Sequence, residues 1–225
     1  MGIDLRPRVL IADDHQLLRL GLKQMLAADG GFIVVGECET GTEIEPLVAE
    51  HDPDVLILDL RLRDGSSLER IAPLLAAYPH LGILVLSMHD QRVYAERCLR
   101  LGAKGYLMKE EAATLVATAL HAVAAGKTFL SPTLAGPAEA AAGATGSAKS
   151  GLPIERLSNR ELQVFELTGD GLPTRAIAAR LELSEKTIEA HKANIKKKLG
   201  IEHGTELARL AMSWREAGGG AALSP

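Results

Sequence analysis

Short apolar runs that end in a polar residue constrain the fold of this chain more than any other feature. The run VLILDLR at residues 55–61 is the clearest case, because its aliphatic stretch is too short for a helix and follows Pro53. Such a run is typical of a strand buried on both faces of a parallel sheet. It places Asp59 at the carboxyl end of the strand, the edge where open α/β sheets carry their sites.

Three more runs have the same form, and the strand ends carry complementary chemistry. These ends are, in chain order, the acidic pair Asp13 and Asp14, the single acid Asp59, the hydroxyl of Ser87 and the ammonium of Lys109. Carboxylate oxygens ligate Mg²⁺, a carboxylate can act as a nucleophile, and a hydroxyl and an ammonium can take the charge of phosphoryl oxygens. The set therefore predicts a site at which an aspartate accepts a phosphoryl group.

The alternation of strand and helix patterns from Arg8 to about Ser131 predicts an α/β, doubly wound, parallel sheet of five strands with five helices. Residues 66–69 have the form of a capping box that begins one of these helices. The ordered motifs resemble the receiver domain of response regulators. The resemblance covers residues 7–130 and implies a flavodoxin-like fold.

The resemblance also implies a metal site beside the phosphoacceptor Asp59. In this arrangement Asp14 and Asp59 ligate Mg²⁺ directly, and Asp13 acts through a water molecule. The backbone carbonyl of Arg61 supplies a further oxygen. The expected cofactor is therefore Mg²⁺ bound to an acidic cluster.

Further roles follow from the same resemblance. Lys109 and Ser87 are expected to act in phosphoryl transfer, and Ser87 and Tyr106 to form a switch pair. Ordinary core packing remains the alternative for Tyr106. In the family, the positions of Arg61 and His89 tune hydrolysis of the acyl phosphate.

The sequence departs from the common receiver pattern at three turn positions. Arg63 and Gln16 stand where proline is frequent, and Ser67 stands where glycine is frequent. We expect these changes to affect turn geometry and switching rates rather than the chemistry.

Residues 131–152 change in composition to Ala, Gly, Ser and Pro, which predicts a flexible linker. Within them, GATGSAKS at residues 143–150 comes close to a phosphate-binding P-loop. Ala148 stands where that motif needs its second glycine, and no strand pattern precedes it. A low-complexity tether is therefore the favoured interpretation.

From residue 153 to about 218 the pattern is purely helical. Capping signals at Ser158 and Ser184 begin the first and third predicted helices, and Glu182-Leu183 forms a tight turn before the third. Two helices joined by such a turn make a helix-turn-helix. The segment resembles the LuxR-type DNA-binding domain, and its pairing with a receiver resembles the NarL/FixJ class of response regulators.

Helical phase divides the third of these helices into two faces. Ile188, Ile195 and Leu199 form the predicted core stripe. The opposite face, predicted to enter the major groove of DNA, consists of Lys186, Ala190, Ala193 and Lys197. The alanines leave room for close approach and for contact with thymine methyl groups, whereas a plain solvated helix is the alternative.

Other polar residues of this helix are predicted to contact DNA at its edges. Glu189 could accept a hydrogen bond from a cytosine amino group. The predicted phosphate contacts are Thr187, Lys192, Asn194, Lys196 and Lys198. Phosphate contacts position the helix without selecting a sequence.

Charge and composition limit the possible partners. The formal net charge is −4, and the acidic excess lies in residues 1–130, so any DNA contact must come from a local patch in the second half. Cys38 and Cys98 lack metal-site spacing and are expected to be buried free thiols. The sequence has no signal or membrane segment, which predicts a cytoplasmic protein.

Together these features predict a two-component response regulator that controls transcription. It is not an enzyme in the usual sense, although the receiver is expected to promote its own phosphoryl transfer and dephosphorylation. The predicted partners are a sensor histidine kinase, promoter DNA, a second copy of the chain on DNA or after phosphorylation, and RNA polymerase as a further candidate.

Two alternatives stay open at this point. An aspartate-nucleophile phosphatase needs a second acid two positions after Asp59, where Arg61 stands. A DNA-binding protein whose receiver serves only for dimerisation does not need the intact acids, hydroxyl and lysine.

Overall fold

The computed structural model describes residues 5–88, 92–132, 134 and 153–216, which fall into two compact units. Most of the described residues from 5 to 134 lie in the first unit, and residues 153–216 lie in the second. Most of the predicted linker, including the P-loop-like segment, lies outside the described residues, as does His89.

The first unit is a sheet with helices between its strands. Its strands are β1 (Arg8–Ala12), β2 (Ile33–Cys38), β3 (Val55–Asp59), β4 (Arg61–Leu62), β5 (Gly65–Ser66), β6 (Gly82–Ser87), β7 (Gly105–Met108) and β8 (Phe129–Leu130). Its helices are α1 (Gln16–Asp29), α2 (Ile44–His51), α3 (Ile71–Ala77), α4 (Arg92–Arg100) and α5 (Ala112–Ala124).

Six of these strands form one parallel sheet in the order β2-β1-β3-β6-β7-β8. The doubly wound sheet predicted from the sequence is confirmed. The prediction counted five strands and missed β8, because two residues at the sheet edge are too few to give a periodic pattern. β4 and β5 form a separate antiparallel hairpin directly after β3.

Both faces of the central strands of the sheet are buried. Val9 and Ile57 point to one face, where they pack in a cluster with Leu22 of α1 and Val116 of α5. Leu10, one position along β1, is equally buried although it points to the other face. A strand enclosed on both sides must be apolar throughout, which explains the continuous aliphatic runs in the sequence.

The chain around residue 67 differs from the sequence prediction. The capping box expected at residues 66–69 is wrong, since Ser66 pairs in β5, its hydroxyl accepts from the Leu68 N–H, and a 3₁₀ turn (Leu68–Arg70) precedes α3. The neighbouring Ser67 hydroxyl is buried and donates to the backbone carbonyl of Asp59. That carbonyl, at a buried strand end, needs a donor, and Ser67 supplies it. A capping box forms instead at residues 40–43.

Cys38 and Cys98 are buried free thiols, as predicted. Burial raises the pKa of each thiol to about 12. Both therefore stay protonated and behave as small apolar side chains.

The second unit is helical. Its helices are α6 (Asn159–Gly169), α7 (Thr174–Arg180), α8 (Glu185–Leu199) and α9 (Gly204–Glu216). The Ser158–Glu161 capping box begins α6 and Ser184 caps α8, as predicted. Between α7 and α8, Glu182 adopts a φ of 53°, which closes the turn of a helix-turn-helix. Over the part of the chain that the structure describes, no helix is long and apolar enough to cross a bilayer.

Candidate functional site

Parallel strand pairing brings the polar strand ends to one edge of the first unit. β1 and β3 are neighbours, so Asp13 and Asp59 lie side by side at their carboxyl ends. β6 lies on the other side of β3, and β7 follows β6, which places Ser87 and Lys109 at the same edge. All four side chains are buried. The sequence prediction that these groups meet at one edge therefore agrees with the topology.

Lys109 is the centre of the charge arrangement. Its Nζ lies 2.6 Å from Asp59 Oδ2 and 2.7 Å from Asp13 Oδ2. Burial raises the pKa of Asp59 to about 6, Lys109 opposes this rise, and Asp13 adds to it. Asp59 is thus mostly ionised at neutral pH, although its environment resists the charge.

The acidic cluster fits a divalent cation. One ligand atom each from Asp13, Asp14, His15 and Asp59 lies within 4.8 Å of the others. Asp13 Oδ2 and Asp14 Oδ1 are buried, and each lies within 2.8 Å of one nitrogen, from Lys109 and His15 respectively. Carboxylate oxygens of this kind are the donors that hard cations prefer. His15, with Nδ1 at 2.8 Å from Asp14 Oδ1, was missed by the sequence analysis.

Arg61 contacts the cluster through its backbone. Its N–H donates to Asp59 Oδ1 at 3.1 Å, whereas its side chain is exposed. The contact holds the Arg61 backbone beside the carboxylate, where the sequence predicts a carbonyl ligand.

Ser87 and Tyr106 lie in neighbouring strands, β6 and β7, and are 2 % and 0 % exposed. Tyr106 is among the largest fully buried side chains of the protein. Core packing accounts for the position of its ring, so a switch role for the pair stays a prediction.

Burial along α8 divides the helix in the way that helical phase predicts. Ile188 and Ile195 are wholly buried, and Leu199 is half-buried. The predicted contact residues that are exposed are Lys186, Glu189, Ala190, Ala193, Asn194, Lys197 and Lys198. Those that are half-buried are Thr187, Lys192 and Lys196.

Some polar side chains of α8 bind other parts of the second unit. Lys192 and Glu189 both contact Thr174 at the start of α7. Lys198 Nζ lies 2.5 Å from Glu161 Oε2, so its charge is balanced within the unit. Lys192 and Lys198 are therefore less available for phosphate contacts than the sequence predicts.

A groove lies beside the carboxyl-terminal half of α8. Its lining residues are Arg156, Glu161, Asn194, Lys197 and Lys198. Glu161 balances Lys198, so Arg156 and Lys197 leave the lining with a net positive charge, which suits a polyanion. Arg156 was not among the predicted contacts, because it lies in the turn before α6 and the pattern that predicts DNA contacts is confined to α8.

Two family models match the chain, one in each unit. Residues 9–121 match the response regulator receiver domain, and residues 155–211 match the luxR family of bacterial regulatory proteins. The chain belongs to the response regulators with a LuxR-type DNA-binding domain.

This response regulator is similar to known transcription regulators over most of its length. It is 33% identical over 212 residues to the transcriptional regulatory protein DegU of Brevibacillus brevis, covering 88% of this chain and 90% of DegU. It is 34% identical over 209 residues to the oxygen regulatory protein NreC of Staphylococcus carnosus, covering 91% and 96%. RcsB from Salmonella enterica serovar Typhimurium, solved bound to promoter P1flhDC in the presence of the phosphomimetic BeF3⁻, matches with a TM-score of 0.70 at 29% identity, covering 92% and 99%.

A buried arginine in this response regulator binds the backbone of the acidic cluster. Arg19 donates to the backbone carbonyl of Asp13 at 2.6 Å and to Glu39 at 2.7 Å. Burial opposes the charge of Arg19, but Glu39 and Glu37 outweigh it and raise the arginine pKa. A charged residue on the buried stripe of α1, in phase with Leu22, is the sequence signal that could have revealed this contact.

The loop after Asp59 is tied to the loop after β2. Arg63 forms an ion pair with Glu39 at 2.8 Å, and Asp64 accepts from the backbone N–H groups of Gly41 and Thr42 at 2.8 and 3.1 Å. These contacts fix the turn in a response regulator that has Arg63 where proline is frequent. The ion pair of Arg63 and the hydrogen bonds to Asp64 therefore hold the turn where the family often has a proline.

Proposed function

We propose that Asp59 accepts a phosphoryl group from the phosphohistidine of a sensor kinase. One carboxylate oxygen attacks phosphorus, the bond from phosphorus to the histidine nitrogen breaks, and the histidine leaves with the electron pair. The observation that carries this proposal is the buried Asp59–Lys109 ion pair, which lies beside two further acids at the carboxyl edge of the sheet. A buried carboxylate held as an anion is a competent nucleophile.

The residues of the cluster divide the remaining work. Asp14, Asp59 and the Arg61 carbonyl would hold Mg²⁺, with Asp13 acting through water. The bound ion would neutralise charge on the phosphoryl oxygens. Lys109 keeps Asp59 ionised and can then pair with the phosphoryl group, and the Ser87 hydroxyl can donate to it. In this way the receiver promotes both its own phosphorylation and its later dephosphorylation.

Labelling with a small phosphodonor and Mg²⁺ tests this proposal. The wild-type chain should gain one acid-stable, base-labile phosphate, whereas Asp59→Asn should gain none. Asp54→Asn is a matched control, because Asp54 directly precedes β3 and accepts from the backbone N–H of Arg8, at the other end of the strand from Asp59. Undiminished labelling of Asp59→Asn would place the acceptor elsewhere.

The second unit would supply the output by binding promoter DNA through α8. Lys186, Ala190, Ala193 and Lys197 form the face that fits the major groove, and Arg156 adds a cation beside it. One such helix offers few base contacts, so useful specificity needs two copies of the chain on a two-fold-related site. Phosphorylation at Asp59 would favour this pairing. RNA polymerase is a candidate partner of the DNA-bound form, and kinase and DNA would meet the protein in the cytoplasm.

DNA binding at one salt concentration tests the link between the units. The full chain should bind its site more tightly after phosphorylation, and a fragment from about residue 151 should bind without phosphate. Equal affinity of the unphosphorylated chain, the phosphorylated chain and the fragment would remove the proposed control.

A further inference from the structure

Three polar side chains, one at the start of α7 and two within α8, form a continuous hydrogen-bonded chain. Lys192 Nζ lies 2.7 Å from Thr174 Oγ1, and Thr174 Oγ1 lies 2.6 Å from Glu189 Oε1. Lys192 Nζ is also 3.7 Å from the same Glu189 oxygen. The sequence places these residues on two different helices and gives no sign that they meet.

The direction of this chain follows from the chemistry of its ends. An ammonium has only donors, and a carboxylate has only acceptors. The Thr174 hydroxyl must therefore accept from Lys192 and give its single proton to Glu189. This arrangement fixes one carboxylate oxygen of Glu189, and the described residues offer no hydrogen bond to the other, Oε2.

The free oxygen belongs to an exposed side chain at the edge of the α8 face that is proposed to fit DNA. The Glu189 side chain is 61 % exposed, whereas that of Lys192 is 18 % exposed. Ala190 and Ala193 beside it are exposed and small, so they permit close approach of the helix to base edges. One oxygen of the carboxylate is thus fixed by Thr174, and the other can accept a hydrogen bond from DNA.

We propose that Thr174 determines sequence specificity by positioning Glu189, whose free oxygen accepts a hydrogen bond from the amino group of one cytosine in each half-site. The inference rests on the proposed DNA-binding function and deepens it. Cytosine is favoured because its major-groove edge offers an amino donor, whereas adenine sets an N7 acceptor beside its amino group.

Lys192 has a second part in this arrangement. A lone carboxylate that approaches DNA is repelled by the phosphates, and a cation 3.7 Å away offsets that repulsion. The sequence predicts that Lys192 contacts the phosphate backbone. In this arrangement it holds Thr174 and Glu189 in place instead.

Binding-site selection from random duplex DNA tests the proposal, with the full chain phosphorylated by a small donor and Mg²⁺. Wild type should select one C·G pair in each half-site. Glu189→Ala should lose roughly tenfold of that preference, and Thr174→Val about threefold at the same position. Thr174→Ser keeps the hydroxyl and should restore the preference, and Thr205→Val, at an exposed threonine of α9, should leave it unchanged.

A second measurement separates positioning from loss of structure. Thr174→Val should leave non-specific DNA affinity and its salt dependence as in wild type, because no phosphate contact is removed. Lys192→Met should weaken preference at the same base pair, which keeps the test decisive if valine destabilises the unit. Wild-type preference in Glu189→Ala or in both Thr174→Val and Lys192→Met overturns the inference. If the wild-type chain selects no sequence, the proposed DNA-binding function is contradicted. If it selects a site and no variant alters that site, only the role of Thr174 and Glu189 is contradicted.

Discussion

The two units each bury a carboxylate against a lysine, yet the pKa values of the two carboxylates are shifted in opposite directions. Asp59 and Glu161 are both 4 % exposed, and their lysine partners, Lys109 and Lys198, lie at 2.6 and 2.5 Å. Burial raises the pKa of Asp59 to about 6. Burial also opposes the ionisation of Glu161, but Lys198 and Ser158 outweigh it and hold its pKa below the usual range.

The surroundings of each ion pair explain the difference. Asp59 shares its lysine with Asp13, so two like charges compete for one cation. Glu161 has Lys198 without such a competitor among its contacts, accepts from the Ser158 N–H at 2.6 Å, and lies in the first turn of α6, where the helix dipole favours an anion. The ion pair of a buried carboxylate therefore indicates stability in the second unit, where the lysine is partly exposed, and a reactive site in the first, where the lysine is buried too.

The largest effect that would sharpen this comparison concerns Lys109. Lys109→Ala should slow phosphorylation by a small donor about 100-fold, because the transition state loses a cation fixed beside the nucleophile. The matched control is Lys104→Ala, an exposed lysine just before β7, which should label at the wild-type rate. A rate for Lys109→Ala within twofold of wild type would contradict the role given to the buried ion pair.

The next effect is on stability in the second unit. Glu161→Ala should lower the free energy of unfolding by about 3 kcal/mol, because it removes a capping box and a charge-assisted hydrogen bond together. Glu161→Gln keeps the capping geometry and should cost less. Fluorescence of Trp214, the one tryptophan in the sequence, which packs edge-on against Phe165 at 5.6 Å, reports this unit during denaturation. Equal stability of Glu161→Ala and wild type would break the comparison.

The corresponding change in the first unit should have the opposite sign. Without Mg²⁺ at about pH 7.5, Asp59→Asn should raise the free energy of unfolding by about 2 kcal/mol, because it removes a charge whose folded-state pKa is raised. Amide hydrogen exchange in β3 measures the change within this unit. Adding Mg²⁺ should reduce the difference, since the ion stabilises the wild type more than the variant.

Lowering the pH separates the two carboxylates. The deficit caused by Asp59 is fully present above about pH 6 and shrinks as the pH falls from 6 toward its ordinary value of 3.8. The contribution of Glu161 is present above its ordinary value of 4.5 and is lost only below it. At about pH 5, therefore, Asp59→Asn should lose much of its advantage, while Glu161→Gln keeps its full cost. Parallel pH profiles for both variants would contradict the assignment.

The sequence predicted the elements that repeat a strong local pattern. The aliphatic runs gave the central strands, and capping residues such as Ser158 and Ser184 gave helix starts, because these signals act within a few residues. The same logic placed Asp13, Asp59, Ser87 and Lys109 at one edge, since parallel strands share their carboxyl ends. The two family models support the roles that resemblance assigned to each half.

Contacts between segments that are distant in the chain could not be predicted from the sequence. Arg19 reaches Glu39 from another element, and Thr174 meets Glu189 from another helix, so no spacing rule connects either pair. Ser67 shows the same limit in a local motif. The capping signal of residues 66–69 was present, but Ser66 pairs in β5 and the Ser67 hydroxyl donates to a buried carbonyl eight residues earlier. Long-range partners decide how a polar side chain is used, and pattern alone does not name them.

The smallest effect tests whether the exposed Arg61 side chain protects the phosphorylated site. Water must reach the acyl phosphate to hydrolyse it, and a long side chain two residues beyond Asp59 limits that approach. Arg61→Ala keeps the backbone N–H that donates to Asp59, so Mg²⁺ affinity should stay within twofold of wild type while hydrolysis becomes roughly threefold faster. Arg63→Ala is the matched control, because Arg63 lies in the same loop, is 70 % exposed and pairs with Glu39 instead. Decay of isolated phosphoprotein, followed by loss of label, measures both variants. If Arg61→Ala and Arg63→Ala decay at the same rate, the loop acts as a whole and Arg61 has no separate protective role.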